Sequence, residues 1–148
     1  MLKPTKILVP TDFSEFSDKA LRQGLDIAVQ YNAELFAVHV ISGEVTQCVD
    51  DYCLAFEQVK ALEDQMHAAA QEKLGQELEK LPQTKQVKVS SDVRRGVPYE
   101  EILKEAEEKG VDLIVIASLG RTGLAKYLIG SVARNVLKRA KCPVLLTK

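Results

Sequence analysis

The stretch that decides the fold lies near the end of the chain. It reads Asp112-Leu113-Ile114-Val115-Ile116-Ala117-Ser118-Leu119-Gly120-Arg121-Thr122-Gly123 and continues to Gly130-Ser131-Val132. Its first part, 113–116, is aliphatic without a polar break, which is typical of a strand buried on both faces of a parallel sheet. Small, flexible residues follow, and from Ser131 apolar residues recur at helical spacing, with Ser131 as the expected N-cap. The stretch predicts a strand, a loose loop and the start of a helix.

This junction has the properties of a phosphate-binding site. The first turn of a helix presents unpaired backbone N–H groups at the positive end of the helix dipole, and phosphate binds well there. Glycines in the loop let a ligand approach the backbone, and further donors or cations are available on Ser118, Arg121, Thr122, Lys126 and Ser131. An ordinary strand-to-helix connection stays open as the alternative, because glycine and serine are common in loops.

Size and composition indicate one globular domain over residues 1–148 and exclude several function classes. The hydrophobic share of 46% is ordinary, and the formal net charge of −1 argues against a protein that binds nucleic acid by electrostatics. No apolar run approaches the roughly 20 residues of a membrane span. The first residues lead directly into a strand, so we expect no signal peptide. Three cysteines, an odd number, favour the reducing cytoplasm.

Strands and helices alternate along the whole chain. Strands are predicted over 6–9, 35–41, 86–92, 113–116 and 143–147, with 94–98 as a turn after the third strand. Helices are predicted from Ser14 or Ser17 to Asn32, over 54–81, from Pro98 to Gly110, and over 131–140. This βαβαβαβαβ order implies a parallel sheet with right-handed crossovers.

In doubly wound sheets, ligands bind at the carboxyl ends of the strands where the winding reverses. The loops after the first and fourth strands are then neighbours, which would bring Asp12 to the same crevice as Gly120 and Gly130. From the residues alone, a second interpretation of Asp12 stays open, namely that its side chain caps the first helix.

Three segments resemble the universal stress protein family. The opening strand and loop of that family are similar to Ile7-Leu8-Val9-Pro10-Thr11-Asp12-Phe13-Ser14. The family's nucleotide-binding signature, G-x-x-G-x9-G-[S/T], resembles Gly120 followed after nine residues by Gly130-Ser131. The family's last strand resembles Cys142-Pro143-Val144-Leu145-Leu146. The resemblance extends over the whole chain, element by element.

The resemblance implies both fold and assembly. The family has a Rossmann-like α/β fold of the adenine nucleotide alpha hydrolase type, an open sandwich around a five-stranded parallel sheet with strand order 3-2-1-4-5. Its members are usually homodimers joined through the last strand, here 143–147. Some members bind ATP and others do not, so ATP, or alternatively AMP or ADP, is the implied ligand, with Mg²⁺ as its possible companion and no metal ligand assigned.

The resemblance also implies a set of nucleotide-binding residues. Asp12 would contact the adenosine moiety and Val40 would border the adenine. Ribose and phosphates would meet Gly120, Arg121, Gly130, Ser131 and Val132. The complete predicted set is Pro10, Thr11, Asp12, Val40, Ala117, Ser118, Gly120, Arg121, Gly123, Gly130, Ser131 and Val132.

One position departs from the signature. Ala117 stands where the family has its first glycine. If that glycine only provides space, one methyl group is tolerated. If its backbone is left-handed, alanine weakens binding.

Three hypotheses for the function follow. The first is a nucleotide-binding stress-response protein with slow ATP hydrolysis at most, which Gly120, Gly130 and Ser131 favour. The second is a dimeric scaffold of the same fold that binds no nucleotide and acts through protein contacts, which Ala117 favours. The third is an enzyme that hydrolyses or transfers adenine nucleotides, although the P-loop, SGGxD and GxSxG motifs are all missing.

The remaining polar residues have simpler interpretations. His39 interrupts an apolar strand and is expected to be a hydrogen-bonded structural histidine. Arg94 and Arg95 are expected to be solvated turn residues rather than residues that steer phosphate. Cys48 and Cys53 lack the spacing of a zinc site, and Cys142 is expected to pack as a small apolar group.

Overall fold

The computed structural model describes residues 2–43, 55–120 and 128–148. Its strands are β1 (Lys6–Pro10), β2 (Glu34–Ser42), β3 (Val89–Gly96), β4 (Leu113–Ala117) and β5 (Val144–Thr147). They form one five-stranded sheet in the order β3-β2-β1-β4-β5, and every neighbouring pair is parallel. The predicted α/β class and strand order are confirmed.

In the described residues, four helices cover the two faces of this sheet. They are α1 (Glu15–Tyr31), α2 (Phe56–Glu79), α3 (Pro98–Lys109) and α4 (Ser131–Arg139), and a short 3-10 turn, Pro82–Lys85, follows α2. None of the described helices is long and apolar enough to cross a membrane.

The core consists of two apolar layers, one on each face of the sheet. Along β1, Ile7 and Val9 point into the layer beneath α1 and α2, whereas Leu8 points into the layer beneath α3 and α4. All three side chains are fully buried. This double burial explains why the central strands are continuous apolar runs rather than alternating ones.

The ends of α1 and α3 follow local signals in the sequence. The side chain of Ser14 caps α1 by accepting a hydrogen bond from Ser17 N at 3.2 Å. Asn32 ends α1 in the left-handed region with φ 53°, and Gly110 ends α3 with φ 66°. Both residues were the predicted terminators, since asparagine and glycine adopt that conformation most readily.

The prediction for β3 was wrong at both ends. The strand begins at Val89 and reaches Gly96, so Arg94 and Arg95 lie in the strand and not in a turn. Parallel pairing with β2 extends to Ser42 opposite Gly96. Charged residues are compatible with an edge strand, and their polarity hid this extension in the sequence.

Two further boundaries differ from the predicted ones. The N-cap of α4 is Gly130, and Ser131 is the first helical residue rather than the cap. The last strand begins at Val144, one residue after Pro143. The first half of α2 is largely exposed: the buried residues of the helix, Ala70, Leu74 and Leu78, lie in its second half, whereas Phe56 is 81% exposed.

Candidate functional site

The first loop leaves the sheet at the carboxyl end of β1. The amide of Thr11 donates to the carbonyl of Val38 on β2 at 2.8 Å, so the loop begins against the neighbouring strand. The buried Thr11 hydroxyl lies 3.1 Å from Ser17 Oγ and accepts from the Phe13 amide at 3.1 Å. These bonds fix the backbone on both sides of Asp12.

The Asp12 side chain does not cap α1 directly, because Ser14 holds that position. Its Oδ1 accepts a hydrogen bond from the Ser14 amide at 3.0 Å, closing a tight local turn. The second carboxylate oxygen points toward the loop after β4. A Cβ atom built on Gly120 would lie 2.7 Å from Asp12 Oδ2.

This close approach brings together two loops that are distant in sequence, as the sequence predicted. Real Cβ atoms do not come within 3.0 Å of such an atom, so any side chain at Gly120 would push the carboxylate away. Glycine is needed here for space and not for a left-handed backbone, since the described residues with positive φ do not include Gly120.

The start of α4 is tied to the end of β4. The Gly130 amide donates to the Ser118 carbonyl at 2.7 Å, and the Ser118 amide donates to the Thr147 carbonyl at 2.8 Å. No described side chain caps α4. The amides of its first turn, beginning with Ser131 and Val132, therefore have no partner within the helix and carry the positive end of its dipole.

Ala117 is compatible with this arrangement. It is the last residue of β4, is buried, and pairs with Thr147 on β5. In the described part of the chain the non-glycine residues with positive φ are Phe13 and Asn32. The backbone conformation of Ala117 thus does not require glycine, and the expected weakening of binding by a left-handed backbone at this position does not apply.

Most of the predicted site residues lie at the end of the sheet where the carboxyl ends of the strands meet. Near the carboxyl ends of the strands, in the loops that follow them, or in the first turn of α4 lie Pro10, Thr11, Asp12, Val40, Ala117, Ser118, Gly120, Gly130, Ser131 and Val132. Arg121 and Gly123, like Thr122 and Lys126, lie outside the described residues.

Sequence reasoning missed one component of this end of the sheet, the side chain of Phe13. Its ring stacks on His39, with 4.4 Å between the ring centroids, and Lys73 Nζ lies 4.5 Å from the Phe13 ring centroid. The prediction of a hydrogen-bonded His39 is confirmed, since its Nδ1 lies 2.8 Å from the Thr11 carbonyl oxygen. Only the polar His39 within an apolar run gave a signal for this contact.

Arg94 was predicted to be solvated, and this was wrong. Its guanidinium, 17% exposed, contacts Glu101 at 2.9 Å, Glu105 at 2.7 Å and Glu108 at 2.9 Å. These hydrogen bonds, the one to Glu108 above all, raise the pKa of Arg94 beyond its already high ordinary value. Arg94 is committed to α3 and is not available to steer a phosphate.

The pKa of the Glu105 carboxyl shifts in the opposite direction from the pKa values of Glu101 and Glu108. Hydrogen bonds from Lys104 and then from Arg94 lower the pKa of Glu101, and the hydrogen bond from Arg94 lowers the pKa of Glu108. Glu105 is 1% exposed, and its burial raises the pKa of its carboxyl despite the contact with Arg94. The cluster joins edge strand β3 to helix α3.

The cysteines and other possible metal ligands do not define a second site in the described ranges. No group of three or more histidine, cysteine, aspartate or glutamate side chains there could hold a metal ion. Cys142 is a free, half-buried thiol, and burial raises its pKa. Cys48 and Cys53 lie outside the described residues.

Comparison with known proteins assigns the family. The sequence model of the universal stress protein family matches residues 4–148, and the chain belongs to the universal stress protein family. The chain is 36% identical over 143 residues to universal stress protein MJ0531 of Methanocaldococcus jannaschii, covering 97% of this chain and 81% of that protein. It is 33% identical over 152 residues to MJ0577 of the same organism, covering 97% and 94%.

Solved structures show the same fold. The structure of MJ0577 matches with a TM-score of 0.84 at 33% identity, covering 99% of this chain and 97% of that chain. A universal stress protein from Archaeoglobus fulgidus in complex with dAMP has a TM-score of 0.66 at 22% identity, covering 99% and 100%. The structure of a universal stress protein in complex with cAMP has a TM-score of 0.62 at 22% identity, covering 99% of this chain and 98% of that chain.

Proposed function

We propose that this protein is an adenine-nucleotide-binding stress-response protein whose site is the crevice between the first loop and the start of α4. The observation that carries the proposal is the convergence of Asp12 and Gly120, where the carboxylate occupies the space that a side chain at Gly120 would fill. The ligand class is supported by the two relatives of the same fold that hold dAMP and cAMP.

The crevice offers a complementary group to each part of a nucleotide. The Asp12 carboxylate is a hydrogen-bond acceptor for the hydroxyls or amino group of adenosine. The half-buried Val40 at the end of β2 supplies an apolar contact for the base. The amides of Ser131 and Val132, at the start of α4, are donors for the phosphates.

The nucleotide that we propose is ATP, with AMP and ADP as weaker alternatives. The dipole of α4 and the amides of its first turn favour the greater negative charge of a triphosphate. Mg²⁺ bound with ATP would neutralise part of the phosphate charge. Arg121 and Gly123 complete the proposed set of contacts.

Calorimetry with purified protein tests the proposal. Titration with ATP and Mg²⁺ should give saturable heat, and an Asp12→Ala variant should bind at least about tenfold more weakly, the effect of one lost charge-assisted hydrogen bond. Absence of saturable heat at millimolar ATP, AMP and ADP would contradict nucleotide binding. ADP formed above a no-protein control would show hydrolysis, in which case the protein acts as a slow ATPase as well.

We further propose that the whole chain is one domain that forms a cytoplasmic homodimer through β5. Val144, Leu145 and Leu146 are only half-buried in the monomer, and β5 is an edge of the sheet. Pairing with a second copy would cover these side chains and the open hydrogen-bonding groups of the strand. The free thiol of Cys142 suits a reducing compartment.

One observation favours protein contacts as an additional role. On α2, Phe56 is 81% exposed and Leu62 is 38% exposed, so the first half of this helix presents apolar side chains to solvent. Exposed aromatic side chains such as Phe56 are enriched where proteins bind other proteins. A protein-contact role of α2 would add to nucleotide binding, unlike the scaffold hypothesis, in which the crevice binds no nucleotide. Phe56→Ser should then leave ATP affinity unchanged.

A further inference from the structure

The residue that follows Asp12 has an unusual backbone. Phe13 has φ 64°, in the left-handed region, and stands between Asp12 and the α1 N-cap Ser14. A bulky side chain in this conformation costs on the order of 1–3 kcal/mol unless its surroundings hold it there. The conformation turns the chain sharply, which lets the Asp12 carboxylate face Gly120 while the Phe13 ring packs against the first core layer.

His39 contacts this turn on both sides of Asp12. Its Nδ1 lies 2.8 Å from the Thr11 carbonyl oxygen, and because that oxygen can only accept, Nδ1 carries the proton and donates. Its ring stacks on Phe13 at a centroid distance of 4.4 Å and an interplanar angle of 34°. The second partner of the Phe13 ring is the Lys73 ammonium, 4.5 Å from the ring centroid.

We infer that His39 and Phe13 are positioning residues for the nucleotide site: together they fix the turn that aims the Asp12 carboxylate at Gly120. The inference rests on the proposed function for its effect on affinity. Neither side chain needs to touch the nucleotide, because the hydrogen bond to Thr11 and the ring stack act on the residues that flank Asp12. The hydrogen bonds of the Phe13 amide to the Thr11 hydroxyl and of the Ser14 amide to Asp12 Oδ1 also hold this turn. Without His39 and the Phe13 ring the turn is held less firmly, and the Asp12 carboxylate shifts away from Gly120.

The donor of His39 is tested by a pair of substitutions. The Nδ2 of asparagine is as many bonds from the backbone as the Nδ1 of histidine, so His39→Asn keeps a donor for Thr11, whereas His39→Leu does not. We expect His39→Leu to weaken ATP binding about tenfold, the value of one hydrogen bond of roughly 1.4 kcal/mol, and His39→Asn to recover most of that loss. The control is Ile102→Val, which perturbs the other core layer.

The left-handed turn is tested by Phe13→Gly and Phe13→Ala. Both variants lack the ring, but glycine adopts positive φ readily and alanine does not. Phe13→Gly should therefore bind ATP several-fold more tightly than Phe13→Ala. Equal affinities for the two variants would overturn the role assigned to the turn.

A double-mutant cycle separates positioning from general stability. If His39 acts through Asp12, His39→Leu should cause no further loss of affinity in an Asp12→Ala background. The same tenfold loss in both backgrounds would contradict the inference, as would wild-type affinity in His39→Leu.

A readout without nucleotide separates this inference from the proposed function. In the ligand-free protein, the amide resonance of Gly120 should move in His39→Leu and stay in place in Ile102→Val. If wild-type protein binds no nucleotide but this resonance moves, the proposed function fails and the positioning role stands. If the resonance stays in place, the positioning role fails whether or not nucleotide binds.

Discussion

At the residue scale, Gly120 shows why a glycine in this loop cannot be judged by backbone conformation alone. Its φ is not positive, so its value is the space that it leaves for Asp12 Oδ2. Ala117 is the opposite case, because a methyl group is already present there and the strand accepts it. The two positions of the glycine signature therefore have different requirements, and the contacts around each residue show which one needs the space of a glycine.

The first prediction concerns Gly120→Ala. The added Cβ would lie 2.7 Å from Asp12 Oδ2 and would displace the carboxylate. We expect ATP affinity, measured by calorimetry, to fall at least about tenfold. Gly75→Ala is the control, since a Cβ there meets nothing within 4 Å, and it should bind like wild type. Unchanged affinity in Gly120→Ala would show that the Asp12 contact does not serve binding.

The second prediction concerns pH and the buried Glu105. Burial raises the folded-state pKa of its carboxyl above the ordinary value of 4.5, so the folded protein takes up this proton before the unfolded chain does. As pH falls through this raised pKa toward 4.5, wild type should gain free energy of unfolding relative to Glu105→Gln, and the gain should be lost again as pH rises. Urea unfolding at several pH values measures the difference, and a difference that shrinks on acidification would contradict the assigned direction.

At the element scale, two helical glycines have opposite consequences. A Cβ on Gly24 of α1 would lie 2.6 Å from Val9 Cγ2, a fully buried side chain on β1, so α1 packs unusually close to the sheet. Gly75 of α2 has open space around it. Glycine is thus required by packing in one helix and only lowers helix stability in the other.

The third prediction compares substitutions at these two glycines. Gly24→Ala should lower the free energy of unfolding by about 1–3 kcal/mol, because a buried β-branched valine cannot move aside cheaply. Gly75→Ala should raise it by about 0.5–1 kcal/mol through helix propensity. Chemical denaturation measures both, and a stabilised Gly24→Ala variant would contradict the packing of α1 against β1.

Most elements were predictable because they depend on local signals. Continuous aliphatic runs identified β1 and β4, and Asn32 and Gly110 identified the ends of two helices. The extension of β3 to Gly96 was not predictable, because pairing with β2 and ion pairs with α3 decide it. Such contacts between distant residues leave no periodic pattern in the sequence.

At the scale of the whole molecule, the parallel sheet has one apolar edge that a second copy can cover. Pro143 O accepts a hydrogen bond from Ile114 of β4, and Thr147 O accepts one from Ser118, directly after β4, so in the alternating geometry of a strand Leu145 faces β4 as well. Val144 and Leu146 then direct their backbone N–H and C=O groups toward the open edge. The proposed dimer would pair through these two residues.

The fourth prediction tests that dimer with proline, which removes one N–H donor. In analytical ultracentrifugation, Leu146→Pro should lower the association constant of the dimer by about tenfold or more. The monomer should stay folded, because proline is tolerated in a strand where the N–H faces outward. Leu145→Pro should instead destabilise the fold itself. A wild-type monomer at micromolar concentration would contradict the dimer.

The placement of the candidate site was predictable from the sequence, but the side-chain contacts beside Asp12 were not. Topology alone placed Asp12 near Gly120 and Gly130, since both loops follow adjacent strands at the carboxyl edge. The stack of Phe13 on His39 joins β2 to the first loop and required coordinates, because a ring stack between distant residues has no signature in spacing. The residues of the proposed site were predicted from the sequence, whereas the contacts of His39 and Phe13 beside Asp12 were found in the structure.

The most direct test of the whole account is an amide ¹H–¹⁵N spectrum recorded during titration with ATP and Mg²⁺. We predict that the resonances of Asp12, Val40, Gly120 and Ser131 move together and saturate. The amides of Thr5 and Lys6 donate to Asp112 at the opposite end of the sheet, near the amino ends of the strands, and their resonances should not shift. Shifts centred on Thr5 and Lys6, or no shifts at millimolar ATP, would contradict the account.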